Sequence, residues 1–259
     1  MSHSTIMLGL GLGGGKSATS SGRLPSGGAY ANLLSASFDG TDDYLDLPDS
    51  TDFEVSEFTW SAWFYCTAIN RYNIIVDTAT NTADFQGYIL FVKNNDNKIR
   101  YCSYFSTDLL DSTTVVSANT WYHVVATHAS GSDKLYVNGS LEASGSASSF
   151  SVSDAANLRI GGSQIYSLYH QGLIDEVSFF NSALSASDVT SIYNSGVPND
   201  ISSLSPVGLW RMGDGTGDTD SGGGAPASGD TIGTVVDQGS GGNNATNPNG
   251  ALYSDNVPS

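Results

Sequence analysis

The chain has 259 residues, of which 26 are acidic and 9 are basic, so its formal net charge is −17 although only 14% of its residues are charged. Such an acidic surface repels phosphate backbones, and no basic stretch interrupts it, so the composition argues against nucleic-acid binding. The length is enough for one large β-sandwich or two small domains.

The N-terminal residues 1–35 are rich in Gly, Ser and Ala and contain few large apolar side chains, so they cannot form a core of their own. They also lack the basic start and the unbroken apolar stretch of a signal peptide, and they contain no membrane span. We therefore expect no membrane partner. We predict that residues 1–35 form an extended arm that docks on another protein.

From residue 36 onward, short aromatic and β-branched runs alternate with clusters of Gly, Asn, Asp and Ser, which is typical of an all-β sandwich or barrel. In the run 59–66, Trp60 and Phe64 share one face of the strand while Trp63 and Tyr65 share the other. Large side chains on both faces indicate a central strand that is covered on both sides. The predicted strands span residues 37–38, 59–66, 88–93, 99–105, 121–128, 134–137, 157–160 and 174–180.

Local turn and capping signals lie between some of these strands. The dipeptide Asn138-Gly139 tolerates the positive φ angles of a two-residue hairpin turn, so it predicts a β-hairpin. One short helix is predicted between Ser185, which can cap its start, and Gly196, which can close its end. Residues 36–200 are therefore predicted to form the sandwich.

The composition changes after Pro198, because residues 213–250 are dominated by Gly, Asp, Ser, Thr and Asn. Residues 201–259 contain too few apolar side chains for an independent domain, so we predict a C-terminal extension that adds edge strands or follows a neighbouring protein. The segment 213–224, GDGTGDTDSGGG, resembles a calcium loop only loosely, and a flexible linker is the favoured interpretation.

Cys66 and Cys102 are the only cysteines, and both follow aromatic residues in predicted strands. Two cysteines in a chain of this length do not make a disulfide framework. We favour two buried free thiols over a single disulfide.

Five phrases of the sequence resemble, in the same order, the laminin-G-like (LamG-like) jelly-roll pattern of the concanavalin A-like lectins and glucanases. The resemblance covers residues 36–195, and five phrases in order are specific for the fold. The phrases are SASFDGTDDYLDLP at 35–48, FTWSAWFY at 58–65, NTWYHVVATHASGSDKLYVNGSLEAS at 119–144, LRIGG at 158–162 and GLIDEVSFFNSALSASDVTSIY at 172–193.

This resemblance implies an all-β fold in which two antiparallel sheets pack face to face as a jelly-roll sandwich, with one short helix. It also implies a concave face that binds sugar chains in some relatives, and a structural calcium ion as the expected cofactor. Asp39 in the FDG turn and Asp175 in the GLIDEV strand are the metal ligands that the resemblance implies, because two carboxylates and backbone carbonyls can supply the oxygens that calcium prefers. The alternative is that Asp39 only caps a turn and that Asp175 has no special partner.

Exposed aromatic residues are the candidate ligand contacts. Tyrosine rings can stack on sugar rings or on a protein partner, although ordinary packing within a sandwich is the alternative for each residue. The candidates lie in or beside loops and strand ends, and they are Tyr72, Tyr101, Tyr104, Tyr166 and Tyr169.

An enzymatic function is not favoured. A glycosidase needs two carboxylates that flank the scissile bond, and the glucanases of this fold place theirs on one strand as E-x-D-x-E. The nearest sequences here, FEVSE at 53–57 and IDEV at 174–177, do not space acidic residues on one strand face. We therefore expect a non-enzymatic protein, and a polysaccharide depolymerase is the least favoured reading.

The glycine-rich start and the phrase GLWRMGDG at 208–215, followed by VVDQGSGGNNAT at 235–246, are similar to phrases found in marine phage and bacterial surface proteins. By this association we expect a bacteriophage virion protein, either a head decoration or a component of a tail fibre or spike. Its expected partners are other virion proteins, bound through residues 1–35, in a homo-oligomer or symmetric assembly. Its expected location is the virion surface, with an extracellular location as the alternative. The alternative function is a carbohydrate-binding adhesin that recognises host glycans.

Overall fold

The computed structural model describes residues 30–78, 87–103, 110–146 and 158–259. Residues 1–29 of the predicted arm lie outside the described residues, as do the last two residues of the predicted strand 99–105. No helix within the described ranges is long and apolar enough to cross a membrane.

The described residues form two antiparallel sheets that pack face to face, which confirms the predicted jelly-roll sandwich. The predicted strands are all represented, and further short strands join them. The strands are β1 (Ser35–Asp39), β2 (Leu45–Asp46), β3 (Phe58–Cys66), β4 (Asn73–Asp77), β5 (Tyr88–Val92), β6 (Lys98–Ser103), β7 (Leu110–Val115), β8 (Trp121–Ala129), β9 (Ser132–Val137), β10 (Ser140–Gly145), β11 (Arg159–Ile160), β12 (Gln171–Phe180), β13 (Gly208–Trp210), β14 (Thr219–Asp220), β15 (Ile232–Val235), β16 (Ala245–Thr246) and β17 (Leu252–Ser254).

The first sheet has the strand order β10-β9-β8-β3-β12-β1-β17, with β13 also paired to β12. The second sheet has the order β14-β15-β16-β2-β11-β4-β5-β6-β7. The central position predicted for the run 59–66 is confirmed, because β3 lies between β8 and β12.

Aromatic side chains from distant parts of the chain fill the space between the sheets. Trp60 of β3 lies 4.8 Å from the ring of Phe179 on β12 and 6.1 Å from the ring of Trp210 on β13, measured between ring centroids. Phe53 packs in the same group, 5.2 Å from Phe179. Rings at these separations contribute stability beyond their buried area. The core of the sandwich therefore depends on residues after 200 as well as on residues before it.

The predicted hairpin is confirmed, because Asn138 and Gly139 adopt φ angles of 48° and 76° between β9 and β10. The helix, α1 (Ala186–Tyr193), begins at Ser185 with the capping interaction that the sequence predicts. It ends at Asn194 rather than at Gly196, because the asparagine takes the left-handed conformation that closes a helix.

Helix α1 packs on the outer face of the first sheet. Val189 of the helix contacts Val125 and Tyr136 of this sheet, and Tyr193 stacks on Trp63 with 5.8 Å between ring centroids. The outer side chains of β3 are therefore buried by a helix, while its inner side chains are buried by the second sheet.

The C-terminal extension is part of the sandwich. Strands β13 and β17 join the first sheet, while β14, β15 and β16 join the second. The extension also supplies core side chains, among them Met212, Ile232, Val235 and Tyr253. Residues 201–259 therefore complete both sheets.

The flexible-linker interpretation of residues 213–224 is wrong. The Asp218 carboxylate accepts hydrogen bonds from the backbone N–H groups of Gly213, Gly215 and Val236. The Asp220 carboxylate does the same for two further glycine amides in this segment. The acidic residues of the segment therefore organise tight turns, because a short carboxylate can satisfy backbone N–H groups that have no strand partner.

Both cysteines are free thiols, as predicted. Cys66 lies in the core between the sheets, whereas Cys102 packs on the outer face of the second sheet against Ile74, Ile89 and Phe91. The two sulfurs thus point into different layers of the molecule.

Candidate functional site

A row of polar side chains crosses the outer face of the second sheet. Neighbouring strands place Thr234, Thr246, Asp46, Arg159 and Asp77 directly opposite one another, in this order, on β15, β16, β2, β11 and β4. Residues opposite each other on paired strands share one face of the sheet. We call these five residues the polar row. Since adjacent strands lie about 4.8 Å apart, the row is about 19 Å long.

Strand alternation explains why the row faces outward. In the phrase YLDL, Leu45 and Leu47 are buried in the core, so Tyr44 and Asp46 point to the opposite side. On β16 the buried Ala245 precedes the exposed Thr246 in the same way. The row is therefore the outward half of strands whose inward half builds the core.

Arg159 supplies the positive charge of this row. Its Nε donates a hydrogen bond to Oδ1 of Asp46 at 3.0 Å, and its guanidinium lies 3.7 Å above the centre of the Tyr44 ring. Tyr44 in turn stacks on Tyr169, with 6.4 Å between ring centroids. The ion pair and the ring hold the guanidinium in one orientation. Its remaining N–H groups are therefore oriented before a ligand binds.

The loop between β11 and β12 folds back onto the same face. Its Leu168 packs on Ile74, Ile89 and Phe91, which form a small apolar cluster beside the polar row. Tyr72 lies over this cluster, with 5.8 Å between its ring centroid and that of Phe91. The face therefore combines hydrogen-bonding groups with aromatic rings, and both are needed to hold a sugar.

Two of the predicted tyrosines, Tyr72 and Tyr169, contact residues of this face, and Tyr166 lies in the loop between β11 and β12, where it is 51% exposed. The prediction for Tyr101 is wrong, because its side chain is 2% exposed and belongs to the core, where alternation along β6 directs it. Tyr104 lies outside the described residues.

Sequence reasoning missed Tyr44 and Arg159. The signal for Tyr44 was present, because a tyrosine alternates with buried leucines in YLDL. The sequence carried no such signal for Arg159, because its contacts with Asp46 and Tyr44 depend on which strands lie beside β11.

The structure does not bring Asp39 and Asp175 together. Asp39 of β1 lies opposite Gln171 of β12, four residues along that strand from Asp175. At about 3.3 Å per residue, this places the two backbones about 13 Å apart along the strand. A single site that contains both carboxylates, as the resemblance implied, is therefore not formed.

Asp39 instead lies in a group with Asp42 and Asp43, in which the carboxylate oxygens lie within 4.8 Å of one another. Asp39 accepts hydrogen bonds from the backbone N–H groups of Thr41 at 2.7 Å and of Asp42 at 3.4 Å, so it also caps the turn. Burial raises the pKa of Asp43. Two exposed carboxylates and the buried one of Asp43 match the preference of calcium for oxygen ligands.

Asp175 is buried on the outer face of the first sheet, where it binds the start of the described chain. Its Oδ2 accepts a hydrogen bond from Asn32 at 3.0 Å, and the neighbouring Glu176 accepts one from the hydroxyl of Tyr30 at 2.6 Å. The Asp214 carboxylate accepts hydrogen bonds from the backbone N–H groups of Leu33 and Leu34. We call Asp175, Glu176, Asp214 and the segment 30–34 the N-terminal clasp.

The electrostatics of the clasp are unfavourable for three ionised carboxylates. Arg211 is the cation that contacts the clasp, and its Nε lies 3.1 Å from Oε1 of Glu176. Burial raises the pKa of Asp175 well above its ordinary value, and burial raises that of Glu176 to about 7, partly offset by Arg211. Burial likewise raises the pKa of Asp214. The three carboxyl groups hold residues 30–34 in place, and these residues cover them.

A serine and a histidine meet under α1, but they cannot reach a substrate. Ser61 lies 2.8 Å from Nε2 of His123, and both residues are buried. Burial lowers the pKa of His123 to about 3, and burial lowers that of His170 to about 4. Both histidines are therefore neutral parts of the packing at neutral pH.

Residues 39–190 match the family model of the concanavalin A-like lectin/glucanases superfamily. No curated protein sequence matches the chain. A protein from Bacteroides ovatus, to which carbohydrate binding has been ascribed, has a similar structure with a TM-score of 0.61 at 18% identity, and it matches over 87% of this chain and 61% of its own. The chain thus spans about three fifths of that protein.

Two further solved structures share the fold. The carbohydrate-binding module CBM40 of a Ruminococcus gnavus sialidase has a TM-score of 0.51 at 15% identity, over 64% of this chain and 100% of its own. A heptameric pentraxin from Limulus polyphemus has a TM-score of 0.51 at 18% identity, over 62% of this chain and 82% of its own. At these identities the likeness concerns the fold.

Proposed function

The chain belongs to the concanavalin A-like lectin/glucanase superfamily, and from this premise we propose that it is a non-catalytic carbohydrate-binding protein whose ligand lies along the polar row. The observation that carries the proposal is the row itself, in which partly exposed hydroxyl, carboxylate and guanidinium groups from four strands lie beside stacked tyrosines. Two structural neighbours support it, because they share the fold and their names state carbohydrate binding. One is a carbohydrate-binding module from Ruminococcus gnavus, and the other is a protein from Bacteroides ovatus to which carbohydrate binding has been ascribed.

The chemistry of the row suits a sugar. Threonine hydroxyls both donate and accept hydrogen bonds, carboxylates accept them and a guanidinium donates them, so the row can satisfy the hydroxyl groups of a sugar in either direction. Tyr44, Tyr166 and Tyr169 offer rings on which the apolar face of a sugar can stack. A ligand held in this way gains orientation from the polar groups and buried area from the rings.

The acid whose pKa would suit proton transfer is in the wrong place for catalysis. Glu176, with a pKa raised to about 7 by burial, is 7% exposed and lies on the other sheet beneath Tyr30 and Arg211. A general acid must reach the scissile bond. This arrangement supports binding without hydrolysis.

The test is binding of the full chain to a panel of immobilised glycans. We expect binding that the double variant Thr234→Ala/Thr246→Ala weakens by at least about fivefold, since each of the two lost hydrogen bonds is worth about 0.5–1.5 kcal/mol. The matched control is Thr190→Ala on α1, whose hydroxyl bonds only to the carbonyl of Ala186. Binding that is equally strong in all variants, or no binding to any glycan, would refute the proposal.

The relatives favour this function over a virion structural role, since carbohydrate binding is what two of their names state. The bacteriophage source, attachment through the arm, a symmetric assembly and a location at the virion surface or outside the cell remain predictions. Deletion of residues 1–29, which leaves the N-terminal clasp intact, tests the attachment. Normal incorporation of the shortened chain into particles would contradict it.

Structural calcium also remains a proposal. The group Asp39, Asp42 and Asp43 is the place in the described chain whose donor set fits the ion. Calcium there would join the end of β1 to the turn before β2, close to Asn249, whose side chain donates to the carbonyl of Asp42 at 2.7 Å. It would then support the chain just ahead of Tyr44 and Asp46.

A further inference from the structure

We infer that the ligand of the polar row is an uncharged, linear polysaccharide of which several sugar units lie across the strands. The inference rests on the proposed function and deepens it by assigning the class of ligand. It is carried by the length of the row and by the order of charges within it.

The row is longer than a single sugar needs. Leaving aside the buried Asp77, its other four residues come from four adjacent strands and extend over about 14 Å. Hydrogen-bonding side chains recur at each strand instead of converging on one point. A single monosaccharide would leave most of them without a ligand, whereas an extended chain of sugars would contact them in turn.

The charges within the row disfavour an anionic sugar. Arg159 lies between Asp46 on β2 and Asp77 on β4, so one positive charge is flanked by two carboxylates. Its Nε is committed to Asp46 at 3.0 Å. An acidic sugar approaching Arg159 would therefore have to compete with the Asp46 carboxylate for the guanidinium, and it would be repelled by that carboxylate.

Two other bases of this sheet, Arg100 and Lys93, are also neutralised. Arg100 binds Asp111 with both Nε and Nη2, at 2.6 and 2.8 Å, and the ammonium group of Lys93 lies 2.7 Å from the same carboxylate. The whole molecule adds a formal charge of −17, which repels polyanions before contact. The hydroxyl groups of neutral sugars, in contrast, can donate to the carboxylates and accept from the threonines and the guanidinium.

The test compares two series of linear oligosaccharides from dimer to hexamer, one neutral with several different backbones and one of oligogalacturonates, by calorimetry with the full chain. We expect affinity for a neutral series to rise with length until the row is covered, and the acidic series to bind at least about tenfold more weakly, or about 1.4 kcal/mol. Asp46→Asn should reduce this preference by about threefold, the effect of one unit charge at about 7 Å in water.

The matched control is Asp230→Asn, which changes the net charge equally but lies outside the row, and it should leave the preference unchanged. Tighter binding of oligogalacturonates, affinity that does not change with length, or equal effects of the two variants would overturn the inference while leaving carbohydrate binding in place. Failure of every oligosaccharide and of the glycan panel to bind would instead refute the proposed function, and the inference with it.

Discussion

Glu176 of the N-terminal clasp should make the stability of the protein depend on pH in an unusual direction. It lies at a bulge in β12 with a left-handed φ of 46°, and its two carboxylate oxygens accept hydrogen bonds from Tyr30 and Arg211. Asp214 places further negative charge nearby. Replacement by glutamine keeps the shape of the side chain and can still bond to both partners, but removes the titration.

The magnitude follows from the pKa of Glu176, which burial raises from an ordinary 4.5 to about 7. The folded protein therefore binds more protons than the unfolded chain between these values, so the free energy of unfolding rises as the pH falls through 7 toward 4.5. Since one pKa unit corresponds to about 1.4 kcal/mol, the full effect is about 3 kcal/mol. In Glu176→Gln this contribution is absent.

The assay is urea unfolding of both proteins between about pH 8 and about pH 5. The wild type should gain about 2 to 3 kcal/mol relative to Glu176→Gln over this range, and the effects of His123 and His170 cancel in the comparison because both proteins contain them. Glu54→Gln, which removes an exposed carboxylate, is the matched control. A constant difference between wild type and Glu176→Gln at every pH would refute the reasoning.

Three further predictions concern other parts of the molecule. Because burial lowers the pKa of His123 to about 3 and that of His170 to about 4, these two groups bind fewer protons in the folded state than in the unfolded chain below pH 6.5, so the wild type should lose thermal stability relative to a His123→Gln/His170→Gln variant as the pH drops from 6.5 toward 4. Millimolar calcium should raise the Tm of the wild type more than that of Asp42→Asn, and equal shifts would place the ion elsewhere. Trp210→Ala should lower the free energy of unfolding by about 3–5 kcal/mol, because the indole is fully buried and its Nε1 donates to the carbonyl of Asn243 at 2.8 Å; a loss below about 1 kcal/mol would show that the C-terminal extension contributes little to the core.

Features that depend on neighbours along the chain could be predicted from the sequence. The alternation in β3, the Asn138-Gly139 turn and the cap at Ser185 each act over a few residues, and each is confirmed. Strand β4 was not predicted, because the short apolar run NIIVD does not alternate and cannot be told from part of a buried helix.

Features that depend on register could not be predicted. The polar row exists because β2, β11 and β4 are neighbours, although they are far apart in sequence. The same register separates Asp39 from Asp175, and alternation within β6 sends Tyr101 inward rather than toward a ligand. A single sequence specifies which residue types alternate, but not which strand lies beside which.

The pairing of β1 with β17 has a consequence for how the protein is made. Ser35 lies opposite Ser254, so one edge of β1 stays uncovered until β17 has been synthesised. All of the segment between these two strands must leave the ribosome before the first sheet can close, and contacts between segments so distant in sequence form slowly. During synthesis the exposed edge of β1 is open to pairing with other nascent strands, so production in a cell should favour slow translation or low temperature.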